Sequence, residues 1–368
     1  MLWILLLLAV ISAAVFGSWF YIKDTHSIGI VQKLNDKNVV LGWAAAALPF
    51  LVCLSFALID LIAFAVTIIH LVMFRLLAAL VRKIACKASG KEITADAFRI
   101  GAIIVTVIYM GIGWFCAHHV FLTKYEFTTD KQLPGGSLRI AEIADLHLGI
   151  TLDGDGFAEE CEKMSSSQKP DVVVVTGDFV DDSSKRADMI KACKALGDID
   201  CKYGVYFIYG NHDKGYRDHR DFTYDDLDAE LEKNGVTILR DEIAQVEGFN
   251  IIGRKDRSFE DDEGRMTAQE LMELTDPSRF NIMLDHQPND YANEAKAGPD
   301  MVLSGHTHGG HIFPAQLFMT WGKMNDRVYG TQTRESTTFV VSSGISGWAI
   351  PFKTGTISEI VIIDVAEK

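Results

Sequence analysis

Aspartate, histidine and asparagine recur in this chain at places where a folded core would not want them. Asp145-Leu146-His147, Gly177-Asp178-Phe179-Val180-Asp181, Gly210-Asn211-His212-Asp213, Asp285-His286 and Gly305-His306-Thr307-His308 each follow a short apolar run. Residues 124–368 hold seven histidines. Five lie in these blocks, leaving His219 and His311 outside them. Carboxylates, imidazoles and a carboxamide oxygen suit divalent metal ions, and loop histidines one residue apart, such as His306 and His308, commonly chelate. One such block alone would be read as a turn, because Asp and Gly satisfy turn geometry. Five in succession have no packing explanation, since these residue types are poor core formers. The pattern points to a metal site assembled from loops.

Those loops need a frame that brings them together. The segments 138–144, 172–176, 204–209, 280–284, 301–304, 338–342 and 357–363 read as strands, and 156–168, 183–197, 224–234 and 267–274 read as helices. Such alternation predicts an α/β sandwich, with ligand-bearing loops at the carboxyl ends of the strands.

In these blocks the chain resembles the calcineurin-like metallophosphoesterases, whose pattern is D-x-H, G-D-x-x-D, G-N-H-D/E, H and G-H-x-H. All five occur in order between Asp145 and His308. The nearest likeness is to membrane-anchored bacterial members, which share the run Ser304-Gly305-His306-Thr307-His308-Gly309-Gly310. The resemblance implies a four-layer α/β sandwich and two divalent ions (Mn, Fe or Zn) with Asp178 bridging them. Asp145, His147 and His308 would join Asp178 around one ion. Asn211, His286 and His306 would join it around the other. It also implies attack on phosphorus by a hydroxide held between the ions, with His212 as the acid for the leaving oxygen and Asp181 hydrogen-bonding His212. Asp213 would close the turn or hold a backbone amide, while His219 and His311 are read as surface or loop residues.

Departures from the pattern bear on the substrate. Protein phosphatases of this superfamily carry Arg where this chain has Asp182 and Tyr209. Related bacterial proteins often have Ser-Arg-Gly where it reads Ser342-Ser343-Gly344. Without those guanidinium groups a phosphomonoester dianion is poorly neutralised, so a phosphodiester, pyrophosphate or lipid-linked phosphate is the expected substrate. The rival from another class is a non-catalytic metal-binding sensor or scaffold. It would be expected to lose a ligand or the acid, and every such position is filled.

The two ends of the chain differ in composition. Residues 1–123 hold 9 Lys+Arg against 5 Asp+Glu; the remainder holds 26 against 44. So acidic a domain repels phosphate backbones, which argues against nucleic acid as a partner. Apolar stretches at 2–22, 50–74 and 100–123 predict three membrane spans, with 124–368 as the phosphoesterase domain. Basic residues crowd the connection 75–99, which places it in the cytoplasm and the acidic domain outside, in a multi-pass cell-membrane protein. Asp60 and His70 fall within the middle span, where a hydrogen bond to a neighbouring helix and a position near the interface are the expected roles. Six cysteines without a CxxC pair read as free thiols.

Overall fold

The computed structural model describes residues 2–55, 61–215, 220–259, 264–322 and 324–368. The chain falls into two compact units, Met1–Gly113 and Trp114–Lys368.

The first unit is helical: α1 (Leu2–His26), α2 (Gly29–Lys37), α3 (Val39–Leu54), α4 (Leu61–Ser89) and most of α5 (Ala95–His118). Among the described residues, two helices are long and apolar enough to cross a membrane, α4 and α5, not the expected three. The 50–74 run does not form one span. Its start belongs to α3, which contains Pro49, and its end to α4. Helix α4 then continues through Arg82, Lys83 and Lys87, because long basic side chains are good helix formers. These residues were expected in a connection and instead lie on a helix. Arg75 is buried and bidentate on Asp24, at 2.5 and 2.8 Å. His70 is buried too; its Nδ1 lies 2.8 Å from the Val66 carbonyl one turn back, and its ring lies 5.4 Å from Tyr109. Asp60 lies outside the described residues.

The expected span 100–123 also ends early. Helix α5 stops at His118, and Val120–Thr123 open strand β1 (Val120–Thr129), pairing in parallel with Ser358–Val361. Val-Phe-Leu-Thr is as β-prone as it is apolar, and an open sheet edge decides between the two. The second unit continues with β2 (Ser137–Ile143), α6 (Gly154–Gln168), β3 (Val172–Thr176), α7 (Arg186–Gly197), β4 (Val205–Ile208), α8 (Tyr224–Lys233) and β5 (Thr237–Ile238). Then follow β6 (Glu242–Gln245), β7 (Phe249–Gly253), α9 (Ala268–Glu273), β8 (Phe280–Leu284), α10 (Tyr291–Ala297) and β9 (Met301–Ser304). Helix α11 (Ala315–Trp321) and strands β10 (Gly330–Arg334), β11 (Thr337–Val341) and β12 (Ser358–Glu367) complete it.

Two six-stranded mixed sheets result, ordered β1-β12-β2-β3-β4-β5 and β10-β11-β9-β8-β7-β6. Strand β3 shows why they stack. Val173 and Val175 face a core shared with Phe157 of α6 and Met189 of α7, while Val172 and Val174 face a core shared with Ile282 and Leu303 of the other sheet. A strand buried on both faces must be nearly all apolar, and Val-Val-Val-Val-Thr is, its one polar group, the Thr176 hydroxyl, donating to Glu142. A third core joins the second sheet to α9 and α10 through Leu271, Met283, Tyr291 and Phe339. The layers therefore run helix, sheet, sheet, helix. Six cysteines are free, as expected.

Candidate metal centre

The carboxyl ends of β2, β3 and β4 in one sheet and of β8 and β9 in the other open into the five motif blocks. The loops turn sharply there. Asp145, His147, Asp178, His306 and His308 all have left-handed backbone, with φ between 38° and 70°. For residues other than glycine that conformation costs of order 1–3 kcal/mol each, and it clusters at functional sites. Close approach is needed as well: a Cβ on Gly210 would stand 2.2 Å from Asp178 Oδ1, so only glycine lets the β4 loop seat against Asp178.

Three groups of potential ligand atoms form among the described residues, one of them joining His147 to Asp181 and His212, and the other two made of the expected ligands. Asp145, His147 and His308 converge in one of these two; Asp178, His286 and His306 in the other. His147 Nε2 and His308 Nε2 face each other at 3.1 Å, with Asp178 Oδ2 3.6 Å from the former and Asp145 Oδ1 3.8 Å from the latter. His286 Nε2 lies 3.1 Å from Asp178 Oδ2 and 3.2 Å from Asn211 Oδ1. All seven residues expected to bind metal are thus brought together, and Asp178 lies between the two groups.

The surroundings aim these ligands. His286 Nδ1 donates to the Thr176 carbonyl at 2.7 Å, which turns Nε2 toward Asp178 and Asn211. Burial would lower this imidazole, but Asp178 outweighs it and raises the ring well above its ordinary value, so a cation bound at Nε2 would replace a proton there. Asp181 accepts from His147 Nδ1 at 2.9 Å and from His212 Nδ1 at 3.2 Å. It was expected on His212; its hold on His147 was not legible in the chain. Asp213, expected to close the turn or hold a backbone amide, holds four amides. Its carboxylate accepts the backbone N–H groups of Asp178, Phe179, Val180 and Gly210 at 2.7–2.9 Å, clamping the β3 loop to the β4 loop.

Electrostatics follow from burial and neighbours. Burial pushes the Asp145 carboxyl up to about 6, against the opposing pull of His286. Burial would raise Asp178 too, but His286 and His147 outweigh it and hold it well below the usual carboxylate range. Burial lowers His308 far below the ordinary imidazole value and, with His286 adding, lowers His306 to about 4. Both are therefore neutral imidazoles, the form that binds metal. Burial would lower His212 also, but Asp181 and Asp178 raise it above its usual value.

The fit to metal ions rests on the ring nitrogens. Two imidazole nitrogens, His147 Nε2 and His308 Nε2, face each other at 3.1 Å between two carboxylates. A cation shared between those lone pairs satisfies what protein atoms leave unsatisfied. His311 stacks on His308 at 5.5 Å between ring centres, and its buried Nε2 has no hydrogen-bond partner among the described residues. It lies beside the centre and not at a remote surface. His219 lies outside the described residues.

Behind the centre runs a segment the motifs did not reveal. Ser343 and Gly344 give their carbonyls to the ammonium of Lys353 at 2.7 and 2.9 Å, and Ile357 does so at 3.1 Å. Glu359 accepts from the Ser343 N–H at 2.9 Å. Both charged residues are fully buried. Nothing in the chain's local pattern distinguishes Lys353 from an ordinary loop lysine, because its burial comes from strands distant in sequence. Trp348 sets its ring edge-on to His212 at 5.7 Å. Tyr209, directly before Gly210-Asn211-His212, donates to Asp228, and Arg240 packs over its ring.

Residues 138–310 match the family model described as calcineurin-like phosphoesterase. A protein of Aquifex aeolicus described as an uncharacterized metallophosphoesterase is 31% identical over 199 residues, 52% of this chain and 70% of that protein. One of the same description from Campylobacter jejuni is 29% identical over 280 residues, 74% of this chain and 70% of that one. A Bos taurus protein named transmembrane protein with metallophosphoesterase domain is 29% identical over 277 residues, 70% of this chain and 60% of its own length.

Proposed function

The chain belongs to the calcineurin-like metallophosphoesterases, and from that premise we propose that it is a membrane-anchored hydrolase of a phosphodiester, pyrophosphate or lipid-linked phosphate. The convergence of Asp145, His147, Asp178, Asn211, His286, His306 and His308 on two adjoining clusters carries this reading. These seven residues would hold two divalent ions. Once bound, such ions polarise a phosphoryl oxygen and make an attacking hydroxide available at neutral pH.

The protein's own part is positioning and proton transfer. Asp181 orients His212 by accepting its Nδ1–H and favours the imidazolium, whose Nε2–H is then the proton handed to the leaving oxygen. Its second oxygen accepts from His147 Nδ1, so one carboxylate orients both the acid and a ligand. Burial opposes the negative charge on Asp181, but the bonds to His147 and His212 prevail and keep it ionised. Asp182, Tyr209 and Ser343 stand where other members place arginine, which favours a substrate bearing one negative charge at the reacting phosphorus.

Helices α4 and α5, together with the membrane topology stated in the Bos taurus relative's name, support anchoring in a bilayer. The basic residues Arg82, Lys83, Lys87, Lys91 and Arg99 favour a cytoplasmic location for the α4–α5 connection. The catalytic unit then lies on the outer side.

Hydrolysis of bis-p-nitrophenyl phosphate and p-nitrophenyl phosphate by detergent-purified protein, stripped and reloaded with Mn or Zn, tests the proposal. Turnover that needs metal, favours the diester and disappears in Asp178→Asn is the expected outcome. Two bound ions without turnover of either ester would favour the sensor reading.

A further inference from the structure

Helix α11 contributes no side chain to the core of its unit. Its residues divide by face. Gln316 and Thr320, four apart and so on one side, line a polar cavity of 620 Å³ with Asn289, Arg327 and Arg334. Leu317, Phe318 and Trp321 are 40%, 62% and 72% exposed. Nine large apolar side chains are exposed between Val120 and Lys368 among the described residues. Six of them (Phe313, Leu317, Phe318, Trp321, Met324 and Trp348) lie in this helix, its flanks and the loop beside His311. The other three are scattered, so this is a patch and not the ordinary apolar share of a surface.

The composition and place of the patch indicate what covers it. Ile312–Gly322 contains no charged residue, and its exposed side chains are largely aromatic. Aromatic rings and a polar–apolar division around a helix suit the boundary between lipid headgroups and acyl chains. The patch also shares an edge of its unit with the end of α5. Ser358 Oγ donates to the Ala117 carbonyl in the last turn of α5, at 2.9 Å. Four residues earlier, Thr354 Oγ1 accepts from the Phe313 N–H at 3.1 Å, and the Gly355 N–H donates to the His311 carbonyl at 2.9 Å. Four residues of extended chain span about 14 Å at most.

We propose that the apolar face of α11, with Phe313 and Trp348, docks on the surface of the lipid bilayer and holds the metal centre at headgroup level. The inference rests on the reading of α5 as a membrane span, which would bring the bilayer to this edge. Trp348, one of these exposed residues, sets its ring edge-on to the His212 ring. A phosphoester carried by a membrane lipid would then reach the centre without leaving the bilayer surface.

The test uses full-length protein reconstituted in vesicles of phosphatidylcholine and phosphatidylglycerol, with acyl chains either plain or brominated near the glycerol. Trp321→Phe is a mild change at an exposed site, and the difference in emission between wild type and this variant isolates Trp321. Trp348→Phe gives a second, independent point. The expected result is difference emission at short wavelength that brominated lipid largely quenches at both positions. Difference emission that stays at long wavelength and unquenched, while Trp19, Trp43 and Trp114 of the helices are quenched, overturns the docking and leaves the anchoring intact. Emission at short wavelength without quenching, in a particle of twice the expected size, means that a second copy covers the patch, and overturns the proposal. If the helix tryptophans are not quenched either, the anchoring reading fails and the docking falls with it.

Discussion

Asp181 joins two functions that the motif blocks keep apart. One oxygen orients the proposed ligand His147, and the other orients the proposed acid His212. An asparagine there keeps one carbonyl acceptor and turns the other arm into a donor, which cannot accept a ring N–H. Losing the partner of a ligating histidine lowers metal affinity by about 10–100-fold. Asp181→Asn is therefore expected to weaken metal binding by that factor in calorimetric titration, alongside a fall in kcat. Unchanged metal affinity with a lower kcat would confine Asp181 to serving His212.

Loops following five different strands must meet within a few ångströms, and the elements carry devices for it. Asp213 ties the β3 loop to the β4 loop through four backbone N–H groups. Lys353 ties the end of β11 to the start of β12, behind Asp145. Its three carbonyl acceptors match the three N–H groups of an ammonium, yet burial lowers its pKa to about 7 from the ordinary 10.5, against the opposing charges of Asp145 and Glu359. The sign follows from linkage. Between those two values the unfolded chain binds the proton more tightly than the folded one, so this group's contribution to stability rises with pH. Relative to Lys353→Met, the wild-type protein should gain unfolding free energy as pH increases from about 7 toward 10, measured by urea denaturation. A difference that is flat or falls with pH would mean that Lys353 is not buried in the way described.

At the scale of the molecule, a metal centre that closes one end of the sheet sandwich couples ion binding to folding. Ligands drawn from both sheets exist as a set only in the folded state, so ions that bind there stabilise it by mass action, about 2.7 kcal/mol at a hundredfold excess over Kd. Saturating Mn should raise the melting temperature of the detergent-solubilised protein above that in chelator, and Asp178→Asn should shrink the difference. An equal rise in Asp178→Asn would place the stabilising ion elsewhere. The acidic surface of the catalytic unit, with its excess of Asp and Glu, also argues that a cation is the favoured visitor.

The chain itself made the site legible because its ligands sit in short blocks at strand ends, where apolar runs and the Asp, His and Gly that follow them are local signals. For the same reason β3, β8 and β9 fall where the apolar runs stand. What depended on distant partners was hidden. Val120–Thr123 were expected to end an apolar span, and the free edge of β12 made them β1. The same holds for the burial of Lys353, the double hold of Asp181 and the four-point clamp of Asp213, none of which a local pattern can encode. The apolar residues of α11 would pass for core in sequence, since hydrophobicity alone does not say which side of a helix finds a neighbour. The tertiary structure left them exposed, because the polar side of α11 faces the cavity and no other layer of the sandwich covers the opposite side.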